Sequence, residues 1–469
     1  MDIFTLKLNF HTKQPLYQQL YLFLSNEIKA GNLKEGERLP SKKALCSHLK
    51  ISQSTIETAY EMLVAEGYVR AMPRSGYYVC ALDLLPTHHA QKSPALTPNK
   101  PPEQSKYRYR FSTGAVDTTV FPYSSWAKIT KEIMYQNPEL LLHGDRQGDY
   151  CLRQALSKCL HEYRGVNCVP EQMIIGAGIE YLLDLIIQIL EKDSVFALEN
   201  PGYDTTYKII ENNNRKIEPI GLDEGGMIVE QLEKSTANVA YITPSHQFPM
   251  GVTMPIGRRT QLIKWANAAP NRYLIEDDYD SEFRSRARPI PALQGWDENG
   301  KVIYVGTFSR SIAPSIRVAY LVLPPNLLAT YQTEFSFSSS TVSRFEQHTL
   351  YKFIESGLFM RHLNRVGNLY KQRKEFLIDE LTRQPFGKQI QITGDNAGLH
   401  FLLHVNNGMS EGELIASAES VGVKVHGLSE YDKTGQSGCP KSTLVLGYAG
   451  LSKQELADAV SLLGKAWRK

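Results

Sequence analysis

The stretch Val305-Gly306-Thr307-Phe308-Ser309-Arg310-Ser311-Ile312-Ala313-Pro314-Ser315-Ile316-Arg317 decides how the chain folds. It follows an apolar run, 302–304, that reads as a buried strand. Its small hydroxyl side chains and two arginines are then set at the end of that strand, not in a core. Open α/β sheets bind their ligands at the carboxyl ends of strands.

Working outward, short apolar runs recur at 195–198, 239–242, 273–275, 302–305 and 319–323, with helical stretches among them. A mostly parallel sheet with helices on both faces accounts for that alternation. Chemically specific loops follow several of the runs. They are Glu199-Asn200-Pro201-Gly202-Tyr203, then Thr243-Pro244-Ser245-His246-Gln247-Phe248-Pro249, then Glu276-Asp277-Asp278-Tyr279. Upstream, Met173-Ile174-Ile175 leads through Gly176-Ala177-Gly178-Ile179-Glu180 into an apolar helix over 181–190. A strand, a glycine turn and a helix start aim backbone N–H groups and a helix dipole at an anion such as phosphate. Residues 341–373 are helical in character. A smaller lobe then opens near Glu375, contains the run 398–403, and closes with an amphipathic helix over 453–467.

A chain of 469 residues is too long for one ordinary domain and can bury a large core. No apolar stretch approaches a bilayer span, and residues 1–10 lack a signal-peptide core, so a cytoplasmic protein with no membrane partner is expected. Six scattered cysteines without a Cys-x-x-Cys pair read as reduced structural thiols, with no metal site. The net charge of +3 neither requires nor excludes nucleic acid, so any DNA argument must come from local pattern.

That pattern occupies the first eighty residues. Leu16, Leu20, Phe23, Leu24 and Ile28 recur at helical spacing until Gly31 stops them. Ser41 caps a second short helix with Ala44, Leu45 and Leu49 inward, and Ser52 caps a third carrying Ile56, Ala59, Tyr60 and Leu63. Two capped helices joined by a tight turn form a helix-turn-helix. The leading turn of the third is polar and suits a major groove. Past Gly67, two short strands around Met72-Pro73-Arg74-Ser75-Gly76 make a wing with a basic tip. A proline-rich tether over 83–106 follows, in which the pair His88-His89 lacks companion ligands. The expected organisation is a DNA-binding domain at 1–82, a linker at 83–106, a large α/β domain at 107–374 and a small lobe at 375–469.

The first segment resembles the winged helix of the GntR family of bacterial repressors through Pro15-Leu16-Tyr17-Gln18-Gln19-Leu20, Gly36-Glu37-Arg38-Leu39-Pro40-Ser41, Ala59-Tyr60-Glu61, Glu66-Gly67-Tyr68 and Gly76-Tyr77. By that resemblance Ser41, Lys42 and Lys43 hold phosphates of double-stranded DNA. Ser52, Gln53, Ser54, Thr55 and Thr58 face base edges, while Arg74, Ser75 and Gly76 reach an adjacent groove or phosphate. Lys43 and Gln53 stand where members commonly carry arginine. Glutamine there gives up charge and favours adenine over guanine.

The stretch 305–317 resembles the cofactor-lysine segment of pyridoxal-phosphate proteins of the aminotransferase type, fold type I, in which a lysine between two serines forms a Schiff base. Here that position is Arg310, and a guanidinium stays protonated and cannot replace the amine. The resemblance implies that Asp277 holds the pyridine nitrogen protonated, Tyr279 bonds the ring phenolate oxygen and Tyr203 stacks on the ring. Thr307, Ser309, Arg317 and the amides of Ile179 and Glu180 take the phosphate, with His246 close to the ring.

The combination resembles the MocR/GabR subfamily of bacterial transcriptional regulators, including Asn396-Ala397-Gly398-Leu399-His400-Phe401. It implies a domain-swapped homodimer that reads an operator and senses a vitamer or amine-related effector. Besides Arg310, this chain departs at Glu430, where amine-sensing relatives often carry a carboxylate-binding arginine. Arg310 is open to three explanations: a natural loss that leaves noncovalent pyridoxal phosphate or another ligand, an engineered change, or a domain kept only for dimerisation. The expected protein is a regulator that is not an enzyme. The alternatives are an aminotransferase carrying a DNA-binding head and a pure scaffold.

Overall fold

The computed structural model describes residues 6, 8–10, 12, 14–82, 106–283, 290–335, 337–435 and 440–468. The tether predicted over 83–106, with His88-His89, lies outside them apart from Lys106, as does Cys439. The other five cysteines are free thiols. The chain divides into two compact units, Met1–Glu103 and Gln104–Lys469.

In the first unit, helix Leu16–Lys29 buries Leu20, Leu24 and Ile28, one apolar stripe at helical spacing. Helix Lys42–Leu49 starts at Ser41, whose side chain accepts from the Ala44 amide at 3.2 Å, and it ends at Lys50 in the left-handed region, φ 53°. Ser52 then accepts from the Thr55 amide at 3.2 Å and opens helix Gln53–Ala65, with Ile56, Ala59, Tyr60 and Leu63 inward. The Tyr60 hydroxyl donates to the Pro40 carbonyl at 2.9 Å, which ties the third helix to the entry of the second. Strands Val69–Met72 and Gly76–Val79 pair antiparallel around Arg74, itself left-handed at φ 61°.

The second unit is built on an eight-stranded sheet. Its order is Met173–Gly176, Ala319–Val322, Val302–Thr307, Tyr273–Asp278, Val239–Ile242, Val195–Asn200, Lys216–Asp223, Gly226–Met227. The five strands from Val302–Thr307 to Lys216–Asp223 run parallel; Ala319–Val322 and Gly226–Met227 run against them, and the edge strand Met173–Gly176, antiparallel to Ala319–Val322, runs with them. The inner strands are buried along their whole length, as parallel strands with both faces covered must be. Helix Ile179–Ile189 is apolar nearly all round and is correspondingly sunk against this sheet.

A small lobe carries the antiparallel sheet Ile390–Thr393, His400–Val405, Thr443–Gly447, His426–Gly427, covered by helices Glu411–Ser420 and Lys453–Ala466. Ser410 with Glu413, and Ser452 with Glu455, form capping boxes that start those helices. The sequence boundary at 374/375 lies inside helix Leu358–Thr382, which links the lobes. The large-lobe range also needs correction at its start. Tyr109–Arg110 pairs in parallel with Val423–Lys424, and Tyr109 and Phe111 join the small-lobe core. Two residues carry too little pattern for a strand to be recognised, and the partner lies over 300 positions away.

Parallel packing buries acids at the strand ends. Burial pushes Glu199, Glu276 and Asp277 each up to about 7. The hydrogen bond to Asp149, with Nε2 3.0 Å from a carboxylate oxygen, raises His348 to about 9. Buried His362, His400 and His404 are instead pushed down by desolvation. Below about pH 6.5 the two sets oppose each other. Above it only the raised groups still titrate in the folded state, so the fold loses protons that the unfolded chain has already lost, and stability falls. The melting temperature should therefore drop by about 2–5 °C between roughly pH 6.5 and 8.5. Scanning calorimetry across that interval checks this, and a rise would contradict the burial of these acids.

Candidate functional site

Because the central strands are parallel, their carboxyl ends arrive at one edge. Asn200, Ile242, Asp278 and Thr307 close their strands there. Helix Tyr150–Arg164 fixes two of the loops. Buried Arg164 pairs with Asp278 at 2.8 Å and donates to the Ser245 hydroxyl at 2.7 Å.

A cavity of about 200 Å³ opens at this edge. The predicted residues Ile179, Glu180, Tyr203, Asp277, Tyr279, Thr307, Ser309, Arg310 and Arg317 all line it, with Gly114, Thr243, Phe248 and Pro314. Asp277 is 6% exposed, and its Oδ2 accepts the hydroxyl proton of Tyr241. Its Oδ1 is buried without a hydrogen-bond partner. A buried orphan carboxylate oxygen costs free energy until a donor meets it, and a protonated ring nitrogen is such a donor. Tyr203 stands half-exposed against Phe248, with ring centroids 5.5 Å apart at 88°.

On the opposite side, the Thr307 and Ser309 hydroxyls are 3.0 Å apart, and the Ser309 amide donates to Thr307 Oγ1 at 3.2 Å. Helix Ile179–Ile189 begins beside them after Gly178, at φ 97°. Arg317, left-handed at φ 51°, bonds the Glu180 carboxylate at 2.7 Å. Hydroxyls, a guanidinium and a helix start together suit a phosphate. Arg310 donates to the Thr113 carbonyl. No lysine lines the cavity among the described residues. The donor set therefore fits the noncovalent part of a pyridoxal-phosphate site and lacks the amine for the covalent part.

Two expectations need correction. His246 does not line the cavity. It is 1% exposed, with Nδ1 2.9 Å from Asp280 and its ring 4.7 Å from that of His400. The Tyr279 hydroxyl donates to the His246 carbonyl at 2.9 Å, so His246 forms a layer behind Tyr279. Glu430 does not line the cavity either. Its carboxylate accepts from the Gly427 amide at 3.0 Å and lies 3.0 Å from His426 Nδ1, capping its own short turn. That commitment ties the carboxylate to its own turn. On the first unit, Lys42 pairs with Glu57 at 3.0 Å, and Gln53 also donates to Glu57 at 2.9 Å.

Sequence reading missed Tyr241 as the partner of Asp277. The only signal was a tyrosine near the end of an apolar run, and the contact depends on which strands are neighbours. On the first unit, Ser41, Lys43, Ser52, Gln53, Ser54, Thr58 and Arg74 are exposed, and Thr55, Ser75 and Gly76 are half-buried. Ser52 is occupied as a cap, and Thr58 back-bonds to the Ser54 carbonyl at 3.0 Å. Gly76 allows close approach at the wing, since a Cβ there would lie 3.1 Å from Arg38 Nε.

Comparison with known proteins agrees with both halves. Residues 16–79 match bacterial regulatory proteins of the gntR family, and residues 110–461 match aminotransferase class I and II. The chain is 39% identical over 457 residues to the HTH-type transcriptional regulator YdeL of Bacillus subtilis, covering 97% of each chain. It is 30% identical to the rhizopine catabolism regulatory protein MocR of Rhizobium meliloti, over 97% of this chain and 94% of that one. A kynurenine aminotransferase of Pyrococcus horikoshii shares the fold, with a TM-score of 0.67 at 24% identity over 78% of this chain and 91% of the other. A GntR-type winged helix fused to a fold type I aminotransferase-like unit, matched end to end by such regulators, places the chain in the MocR/GabR-like subfamily of GntR-type transcriptional regulators.

Proposed function

We propose that the protein is a DNA-binding transcriptional regulator whose aminotransferase-like unit senses pyridoxal phosphate or a related vitamer without a Schiff base. The observation that carries this reading is Asp277 Oδ1, buried and unpartnered in a cavity where Arg310 stands at the lysine position. When bound, pyridoxal phosphate supplies an electron-withdrawing pyridinium ring. Asp277 would hold the ring nitrogen, Tyr203 would cover one face, and Thr307, Ser309, Arg317 and the first amides of helix Ile179–Ile189 would hold the phosphate. Tyr279 would bond the ring oxygen through its hydroxyl, now turned to His246. Arg310, held by the Thr113 carbonyl, offers a fixed cation but no nucleophile. Occupancy, not turnover, is then the signal.

A second copy of the chain supports two operator half-sites. Met134, Tyr135, Leu141 and Leu142, between 59% and 81% exposed at the end of helix Tyr123–Gln136 and the turn beyond it, favour such a homodimer. A working aminotransferase with a DNA-binding head is the rival. It requires an amine that carries both the bond and the proton, and Arg310 supplies neither.

A pyridoxal-phosphate titration followed by absorbance, on the chain as written and on Arg310→Lys, tests the reading. The chain as written should bind without the visible band of a lysine-bound cofactor, and the lysine variant should gain that band. Binding by neither would leave the unit a scaffold, and sustained turnover with amino donors would make the chain an enzyme. On DNA, Arg74→Ala should weaken all sequences alike and reduce the salt slope by about 1, whereas Gln53→Ala should change base preference. Equal losses on every sequence for both variants, measured by fluorescence anisotropy, would contradict the groove assignment.

A further inference from the structure

The anion side of the cavity already holds an anion of its own. Glu180 sits in the first turn of helix Ile179–Ile189, and its carboxylate lies 2.7 Å from Arg317 Nη2. The pair lies directly across the glycine turn. A Cβ at Gly178 would stand 2.2 Å from Arg317 Nη2 and 2.8 Å from Glu180 Oε2. Only a glycine, here at φ 97°, leaves room for it. Arg317 is turned onto the pair by its own left-handed backbone, φ 51°, and also donates to the Ala177 carbonyl at 3.2 Å. A carboxylate in a first helical turn gains from the same dipole and N–H groups that would hold a phosphate.

We infer that the Glu180 carboxylate is an internal competitor for the phosphate subsite, which a phosphorylated ligand must displace from Arg317. The inference rests on the vitamer reading above and deepens it by naming what sets the ligand threshold. Displacement is feasible because both side chains keep contact with water, 49% exposed for Arg317 and 43% for Glu180. Such a pair is weak, so it lowers affinity without closing the site. Its cost falls on phosphorylated ligands alone, since a ligand without phosphate leaves Glu180 and Arg317 paired. A sensor built this way responds at a higher vitamer concentration than the bare cradle would.

The test uses the full chain and its Glu180→Gln variant, with pyridoxine 5′-phosphate and pyridoxine as probes. Neither probe carries an aldehyde, so surface lysines do not react. Binding is read by protein fluorescence and equilibrium dialysis. Glu180→Gln should tighten the phosphorylated probe by about three- to tenfold and change the unphosphorylated one by less than about twofold. Competition by inorganic phosphate should strengthen in parallel. Equal changes for both probes would overturn the inference. So would weaker binding of the phosphorylated probe, which would make Glu180 a support that positions Arg317. In either case binding by the unmodified chain leaves the vitamer reading standing. If the unmodified chain binds neither probe nor pyridoxal phosphate, that reading fails and the inference falls with it.

Discussion

Parallel pairing of Val195–Asn200, Val239–Ile242, Tyr273–Asp278 and Val302–Thr307 is the constraint on which the rest depends. It sends every carboxyl end to one edge, so loops far apart in sequence meet there. It also covers both faces of each strand, which forces Asp277 to be buried where its strand ends. A carboxylate so placed has to find donors. Tyr241, on the adjacent strand, supplies one for Oδ2, and the other oxygen is left for whatever enters the cavity.

The same constraint explains what could be read from the chain alone. A strand buried on both sides is a continuous apolar run, so the runs at 195–198, 239–242 and 302–305 stood out, together with the polar loops that end them. Two caps announced themselves equally well, because Ser41 and Ser52 act within three residues of their own position. Contacts set by tertiary neighbours were not legible. Nothing local says that Tyr241 meets Asp277, or that Tyr109 pairs with Val423. His246 was misjudged because a loop's sequence does not say which side chains face inward, and Asp280 draws this one away from the cavity. Glu430 was misjudged because it has nearer partners, the Gly427 amide and His426.

The cavity carries two charged groups that bear on the proposed cofactor reading. Arg310 keeps a cation where a nucleophile would stand and is held by the Thr113 carbonyl. Glu180 puts an anion on the arginine that would hold a phosphate. On the proposed reading, Arg310 rules out covalent capture, and the Glu180–Arg317 pair raises the concentration needed for noncovalent capture. Under that proposal the site fills and empties with ligand concentration, which is what a sensor requires.

The central claim is that filling this cavity changes what the winged helix does. The most direct measurement is the affinity of the full chain for a DNA fragment selected from a random pool, by anisotropy at fixed salt, with and without saturating pyridoxal phosphate. The account predicts a shift of about fivefold or more, the lower range of measured coupling between sites. An affinity unchanged while the vitamer is demonstrably bound would contradict it and leave the aminotransferase-like unit as a scaffold.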